Sequence, residues 1–146
     1  MNPTNLMWDK ERKKLVAIID FQLLHTGNFA EDIARILMLT MSRQQRRKYT
    51  NALLERYHDT LSSLFDGNPP YTLSKVHEAY DRIFLYAFNF ALFAMATYYG
   101  MYQNLEKDEA KRAKIHEEIV DRAYGVVMDA ERLARQRQNG RNARRV

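Results

Sequence analysis

Two residues near the start of the chain, Asn5 and Asp20, have side chains that could bind a hard cation. Asp20 ends the apolar run LVAII, and a short strand of that composition is expected to be buried. A buried carboxylate is costly unless a cation pairs with it. That cation is either a neighbouring basic side chain or a bound metal ion, to which Asn5 would add an amide oxygen.

A predicted β-hairpin positions these two residues. This stretch contains the one clear hairpin signal in the sequence. Asn5 to Trp8 and Leu15 to Asp20 are predicted strands, and the charged segment DKERKK forms the turn between them. Antiparallel pairing brings the amide at the start of the first strand beside the carboxylate at the end of the second. Mg²⁺ often takes one or two protein oxygens and completes its shell with water and phosphate, so the pair is chemically adequate, although such a spacing is common.

Other catalytic or metal-binding patterns are missing from the sequence. No serine lies in a nucleophile elbow, and the five glycines are spread singly, so there is no glycine-rich phosphate loop. Glu31 and Asp32 could act as acid/base carboxylates, but acidic residues are favoured at a helix N-terminus for structural reasons alone. The histidines lack the paired spacing of a metal site on one helix, so surface or core roles are expected for each. They are His25, His58, His77 and His116.

The composition indicates one folded domain. The chain has 146 residues, of which 46% are hydrophobic, enough for a core. It has no cysteine, which excludes a disulfide framework, a cysteine-based zinc site and a cysteine nucleophile. No secretory signal is visible at the N-terminus, so a cytoplasmic location is expected.

The net charge of +5 comes mostly from the C-terminus. After Glu131 the chain has arginines and no acidic residue. No aromatic residues are interleaved with these arginines. We therefore expect residues 137–146 to form a solvated, disordered basic end rather than a surface that binds nucleic acid or a membrane.

Four helices are predicted after the hairpin. The first covers AEDIARILMLTM, Ser42 caps the second, Thr72 starts the third, and the fourth begins near Asp108. The fourth helix is expected to bury one apolar face. This face comprises Ile115, Ile119, Val120, Tyr124, Val127 and Met128.

The third helix contains an uncharged segment from Ile83 to Tyr102. It approaches the length of about 20 apolar residues that spans a bilayer. Asn89, Thr97 and several tyrosines dilute it, and the amphipathic start of the helix is typical of a soluble protein. A helix apolar all round also suits the centre of a helical lobe, so we expect a buried central helix instead of a membrane span.

Several stretches resemble the C-terminal lobe of the CHK kinase-like proteins, which belong with the choline kinases and aminoglycoside phosphotransferases in the protein-kinase-like superfamily. They are NPTNLMW, LVAIIDFQLLHTGNFAEDIARIL, SRQQRRKYTNALLERYHDTL and NPPYTLSKVHEAY. IIDFQ with the downstream G-x-F-A-E-D-I-A-R is the most specific part, and the version here is similar to the nematode branch. The resemblance implies that residues 1–136 form a partial domain, mainly helical, with a short hairpin and about four helices.

The resemblance also implies roles for three residues. Asn5 matches the metal-binding asparagine that follows the catalytic H-G-D motif, and Asp20 matches the second metal-binding aspartate, equivalent to that of the protein-kinase DFG motif. Both would hold Mg²⁺ against the phosphates of ATP. Asp32 matches a helix-start aspartate that supports the catalytic loop without taking part in the chemistry.

The sequence also departs from the family pattern. The aspartate of H-G-D would stand immediately before Met1, and the N-lobe with its phosphate-covering loop, lysine and hinge is missing. An intact relative would transfer the γ-phosphoryl group of ATP to a hydroxyl of a small molecule, such as an amino alcohol or a steroid-like alcohol. The chain is therefore expected to be an inactive kinase fragment. The alternative is a non-catalytic helical protein that binds a protein partner through the surface facing the N-lobe.

Overall fold

The structure, a computed structural model that describes residues 3–11, 13–21 and 25–143, places a β-hairpin ahead of four helices. A 3-10 turn leads into strand β1, which pairs with β2 in an antiparallel two-stranded sheet. The predicted mainly helical fold with a short hairpin is confirmed. The elements are the 3-10 turn Pro3–Asn5, β1 (Leu6–Asp9), β2 (Lys14–Ile18), α1 (Ala30–Thr40), α2 (Arg43–Leu64), α3 (Leu73–Leu105) and α4 (Glu109–Ala143).

Local capping interactions start three of the helices at the predicted positions. Ser42 and Gln45 form a reciprocal capping box, in which each side chain accepts a hydrogen bond from the backbone N–H of the other. The side chains of Thr72 and Asp108 each accept from the backbone N–H three residues later, at 3.3 and 3.0 Å. These contacts involve neighbours in sequence only, which is why the sequence predicts them well.

Helix α3 is central but buried along one face only. It packs against α1 and against α4. Its buried stripe comprises Val76, Tyr80, Phe84, Ala87, Ala91 and Met95. Tyr86 and Phe93, on the opposite face, are 69% and 71% exposed, so the prediction of a helix buried all round is wrong for this outer face. By length and composition α3 is the one helix among the described residues that could cross a membrane.

Helix α4 buries only part of the predicted face: Ile119 lies in the core and Ile115 packs against it. Val120, Tyr124 and Val127 of the predicted face are exposed, and residues outside that face lie in the core beside Ile119. Ile119 and Val120 are adjacent, about 100° apart around the helix, so one narrow face cannot bury both. The buried stripe comprises Ile119, Val126, Ala130 and Leu133.

The β-hairpin is exposed, which corrects the expectation of a buried strand. All five residues of β2 are exposed, and Val16 reaches 66%. The helices pack on one another, and it is the 3-10 turn before β1 that contacts α1. Asp20 is therefore exposed as well, and desolvation does not force a cation to pair with it.

Helix α4 continues into the segment predicted as a disordered tail. The helix ends at Ala143, so residues 137–143 are helical, in contrast to the prediction. Residues 144–146 of the predicted tail lie outside the described residues.

Candidate functional site

The hairpin brings Asn5 and Asp20 together. Leu6 pairs with Ile18, and the backbone N–H of Ile19 donates to the carbonyl of Asn5 at 3.0 Å, which continues the ladder beyond β2. Asp20 follows with a φ of 60°, a left-handed conformation that aspartate tolerates better than most residues. The Asn5 side-chain amide then donates to Asp20 Oδ2 at 3.4 Å. The two predicted metal ligands are therefore in contact.

The contact supplies oxygen ligands but not a complete metal site. The Asn5 side-chain oxygen accepts a weak hydrogen bond from Thr4 Oγ1 at 3.4 Å, and Asp20 is exposed. Across the described part of the chain, no group of three or more His, Cys, Asp or Glu side chains could hold a metal ion. Two hard oxygens fit an ion such as Mg²⁺ when water and phosphate oxygens complete its shell, so metal binding stays a prediction.

The start of α1 is fixed by Asn28. Its side-chain oxygen accepts from the N–H of Ala30 at 2.9 Å, and its amide donates to the carbonyl of Ala79 on α3 at 3.0 Å. Phe29 stacks between Tyr57 of α2 and Tyr71, with ring centroids 5.2 and 5.1 Å apart. These contacts hold α1 against α2 and α3, and α1 in turn contacts the 3-10 turn that contains Asn5.

The two acidic residues in the first turn of α1 lie in different environments. Glu31 is buried and pairs with Arg35 one turn later and with His25 at 3.4 Å. The Arg35 guanidinium lies 4.1 Å from the ring centroid of Phe90 on α3. Glu31 thus has a structural role. Asp32 is exposed on the helix that contacts the 3-10 turn, and its support of the site stays a prediction.

Three histidines make structural contacts, as the sequence suggested. His25 donates to Glu31, His58 donates to the Tyr71 carbonyl at 3.1 Å, and His116 donates to the Tyr99 carbonyl at 3.1 Å while stacking on that tyrosine ring. The fourth, His77, is half-buried on α3. The four histidines lie on different elements: His25 precedes α1, His58 is on α2, His77 is on α3 and His116 is on α4.

A buried ionic cluster that the sequence does not predict lies between α2 and α4. Asp129 on α4 is 4% exposed, and both Arg46 Nε and Arg46 Nη2 donate to its Oδ2, at 3.3 and 3.0 Å. Arg43 and Arg47 approach Asp129 Oδ1 at 3.4 and 3.6 Å. Nothing in the local sequence pairs residues that are 83 positions apart, so only the tertiary structure reveals the cluster.

Tyr80 lies beside this cluster in the core. Burial raises its pKa to about 12, and a side-chain hydrogen bond with Thr50 and the nearby Arg46 charge only partly oppose this increase. The phenol therefore stays protonated over the physiological range, so Tyr80 is not suited to act as a base.

Comparisons with known proteins indicate a kinase-like nematode family. The sequence profile of the DUF1679 family, described as "Uncharacterized oxidoreductase dhs-27", matches residues 1–138. A Caenorhabditis elegans protein, "Uncharacterized kinase-like protein D1044.1", is 34% identical over 133 residues, which are 88% of this chain and 35% of that protein. The chain thus spans about a third of the length of this relative. No solved structure matches.

Proposed function

Since the chain belongs to the DUF1679 family and a relative is named kinase-like, we propose that it is part of a small-molecule phosphotransferase. In this proposal Asn5 and Asp20 hold Mg²⁺ against the phosphates of ATP, and the intact protein transfers the γ-phosphoryl group to a hydroxyl of a small alcohol. The observation that supports it is the contact between the Asn5 amide and the Asp20 carboxylate at the end of the hairpin.

The side chains need one local change to bind a cation. The Asn5 amide now turns its N–H toward Asp20, so half a rotation of the amide group would bring its oxygen to the same side as the carboxylate. The hydrogen bond that this rotation breaks is long and exposed, and its loss costs little. A bound Mg²⁺ supplies charge neutralisation for the phosphates, and the two residues fix its position.

The chain by itself should not catalyse the transfer. A catalytic base contributes about 10²- to 10⁴-fold to such reactions, and positioning of the phosphates and the hydroxyl contributes more. Glu31, one acidic residue that could replace the missing base, is buried, forms an ion pair with Arg35 and accepts a hydrogen bond from His25. Two metal ligands without a base and a nucleotide-binding lobe do not position the reaction.

The family description names an oxidoreductase, which raises a second class of activity. Dinucleotide-dependent oxidoreductases bind their cofactor with a G-x-G-x-x-G loop after a strand. The glycines of this chain are Gly27, Gly67, Gly100, Gly125 and Gly140, which are too far apart for such a loop. The phosphotransferase proposal therefore fits the residues of this chain better.

Magnesium titration tests the proposed metal site. NMR of the labelled chain should show Mg²⁺-dependent shifts at Asn5 and Asp20, with weak affinity because the two ligands are exposed. Asp20→Asn should weaken the binding at least about fivefold, since it removes the only formal charge of the pair. Asp66→Asn is the matched control, because Asp66 is also exposed and also has a positive φ, 48°. Equal affinity for Mg²⁺ in the Asp20→Asn and Asp66→Asn proteins would refute the site.

An ATP consumption assay tests the expected inactivity. The purified chain with Mg²⁺ and a panel of amino alcohols and sterols should not exceed the background rate. Turnover that disappears in the Asp20→Asn protein but persists in the Asp66→Asn protein would show that the chain is an autonomous enzyme, with another residue acting as the base.

A second candidate function, partner binding through the hairpin, is supported by the exposed apolar side chains there. Trp8, Val16 and Phe21, all on or next to the hairpin, are 58%, 66% and 58% exposed, and contiguous exposed apolar patches mark interaction surfaces. Trp8 is the single tryptophan of the chain, so its fluorescence reports this surface directly. In a non-catalytic binding protein, partner addition shifts the Trp8 emission to the blue whether or not Mg²⁺ is present. If the hairpin instead holds the metal ion of a phosphotransferase, Mg²⁺ and ATP should change the Trp8 emission.

A further inference from the structure

The ionic cluster between α2 and α4 has more positive than negative charge. Three arginines, Arg43, Arg46 and Arg47, surround the single carboxylate of Asp129. Each of the three Arg46 nitrogens donates a hydrogen bond, two of them to Asp129 Oδ2 and one to the carbonyl of Met41 at 2.7 Å. One charge of the cluster is thus neutralised in the interior, and two cationic side chains are left at its outer edge.

The two outer arginines are only partly compensated. The nearest contacts of Arg43 and Arg47 with Asp129 join Nε of each to the same atom, Oδ1, at long distances of 3.4 and 3.6 Å. Neither forms the paired contacts of a guanidinium with a carboxylate that make such interactions strong. Within the described ranges, Asp129 is the single acidic partner of both. Their side chains are 31% and 50% exposed, so both reach solvent.

The position of these arginines makes an anionic ligand favourable. Arg43 and Arg47 are one turn apart on the same face of α2, and their contacts with one oxygen atom hold the two guanidinium groups close together. Cations at the start of a helix are opposed by its dipole, and the first turn of α2 contains no acidic residue that would offset this cost. Gly125, which has no side chain, lets the backbone of α4 approach the Cβ of Arg43 closely.

We propose that Arg43 and Arg47 bind a phosphate-type oxyanion, such as inorganic phosphate or the phosphoryl group of a soluble phosphate monoester. The planar guanidinium forks match phosphate oxygens in geometry, and the two of them neutralise a dianion. Asp129 orients both groups through Nε and leaves their terminal nitrogens for the ligand. This site is on a different part of the molecule from Asn5 and Asp20 and does not depend on the proposed phosphotransferase function.

The test is a phosphate titration of the full chain at constant ionic strength, followed by NMR and by thermal unfolding. Inorganic phosphate should give saturable shifts at Arg43 and Arg47 and raise the melting temperature more than chloride does. Arg47→Gln should weaken phosphate affinity at least about fivefold, and Arg47→Lys, which keeps the charge but not the fork, should weaken it less. Arg56→Gln is the matched control, since Arg56 is an exposed arginine on the same helix.

Three results would overturn the proposal. Equal phosphate affinities for the Arg47→Gln and Arg56→Gln proteins would place the binding elsewhere. A response that is linear and equal for phosphate and chloride would mean an adventitious ion only. The protein could also sediment with vesicles that contain phosphatidic acid and show no saturable response to inorganic phosphate or to phosphocholine. That result would mean that the arginines bind a membrane surface instead. Circular dichroism of each variant verifies that it is folded.

Discussion

Gly125 on α4 is a position where the structure predicts that a single methyl group will destabilise the protein. A Cβ atom there would lie 2.8 Å from Arg43 Cβ and 3.1 Å from Arg46 Nη2. The Arg43 Cβ is attached directly to the backbone of α2, so a side-chain rotation cannot relieve the contact. In the Gly125→Ala protein, α2 must therefore move away from α4, which also disturbs the buried pair between Arg46 and Asp129.

The expected magnitude follows from two opposing effects. Alanine is favoured over glycine in a helix interior by about 0.8–1.0 kcal/mol, whereas overpacking of a tight contact costs about 1–3 kcal/mol. The disturbed ionic pair adds to the cost, so Gly125→Ala should lower the free energy of unfolding by about 1–2 kcal/mol. Gly100 on α3 is the matched control, because a Cβ there meets no atom within 4 Å. Gly100→Ala should increase the free energy of unfolding by up to about 1 kcal/mol.

Urea unfolding followed by circular dichroism measures both variants. The two midpoints should move in opposite directions from that of the wild type, with similar slopes. If Gly125→Ala were stabilised as much as Gly100→Ala, then α2 and α4 would not be in close contact at this point, and the argument from the 2.8 Å distance would be wrong.

Three further predictions concern the interior and α3. Asp129→Ala leaves Arg46 buried without its carboxylate and should lower the free energy of unfolding in urea by about 3–5 kcal/mol. The control, Asp121→Ala at an exposed position, should change it by less than about 0.5 kcal/mol. Equal effects of the two substitutions would refute a buried ion pair. Because burial raises the pKa of Tyr80 from 10.0 to about 12, the folded state holds this proton more tightly, so stability should fall as pH rises from 10.0 to about 12. This fall should be smaller in Tyr80→Phe, and an identical pH profile in that variant would contradict the assignment. Finally, the expressed chain should be recovered in the soluble fraction, because α3 packs on α1 and α4. Recovery only with carbonate-washed membranes, from which detergent releases the chain, would mean that α3 spans a bilayer.

Most of the secondary structure was predictable because its causes are local. Ser42, Thr72 and Asp108 start their helices through contacts with residues three positions later. The hairpin was predictable for the same reason, since a charged turn joins two short strands that pair with each other. The contact between Asn5 and Asp20 follows from this pairing, so the candidate metal site was within reach of the sequence.

Which faces are buried was decided by the tertiary structure. Tyr86, Phe93 and Tyr124 are as apolar or aromatic as the core residues, yet they are exposed because no described helix packs over them. The apolar strand β2 is exposed for the same reason, although its composition predicts burial. An amphipathic pattern shows that a face is apolar, but burial depends on whether another element covers that face.

The pairing of Arg46 with Asp129 also required the tertiary structure. Each residue alone belongs to a charged stretch that is typical of a solvated helix surface. Their burial depends on the close approach of α2 and α4 at Gly125, between residues 83 positions apart. The sequence by itself therefore determined the helices, their caps and the hairpin with Asn5 and Asp20, because short-range hydrogen bonds and steric preferences specify them. Only the packing of α2 against α4 decided where the buried charges and the outer pair of arginines lie, since long-range contacts have no local pattern.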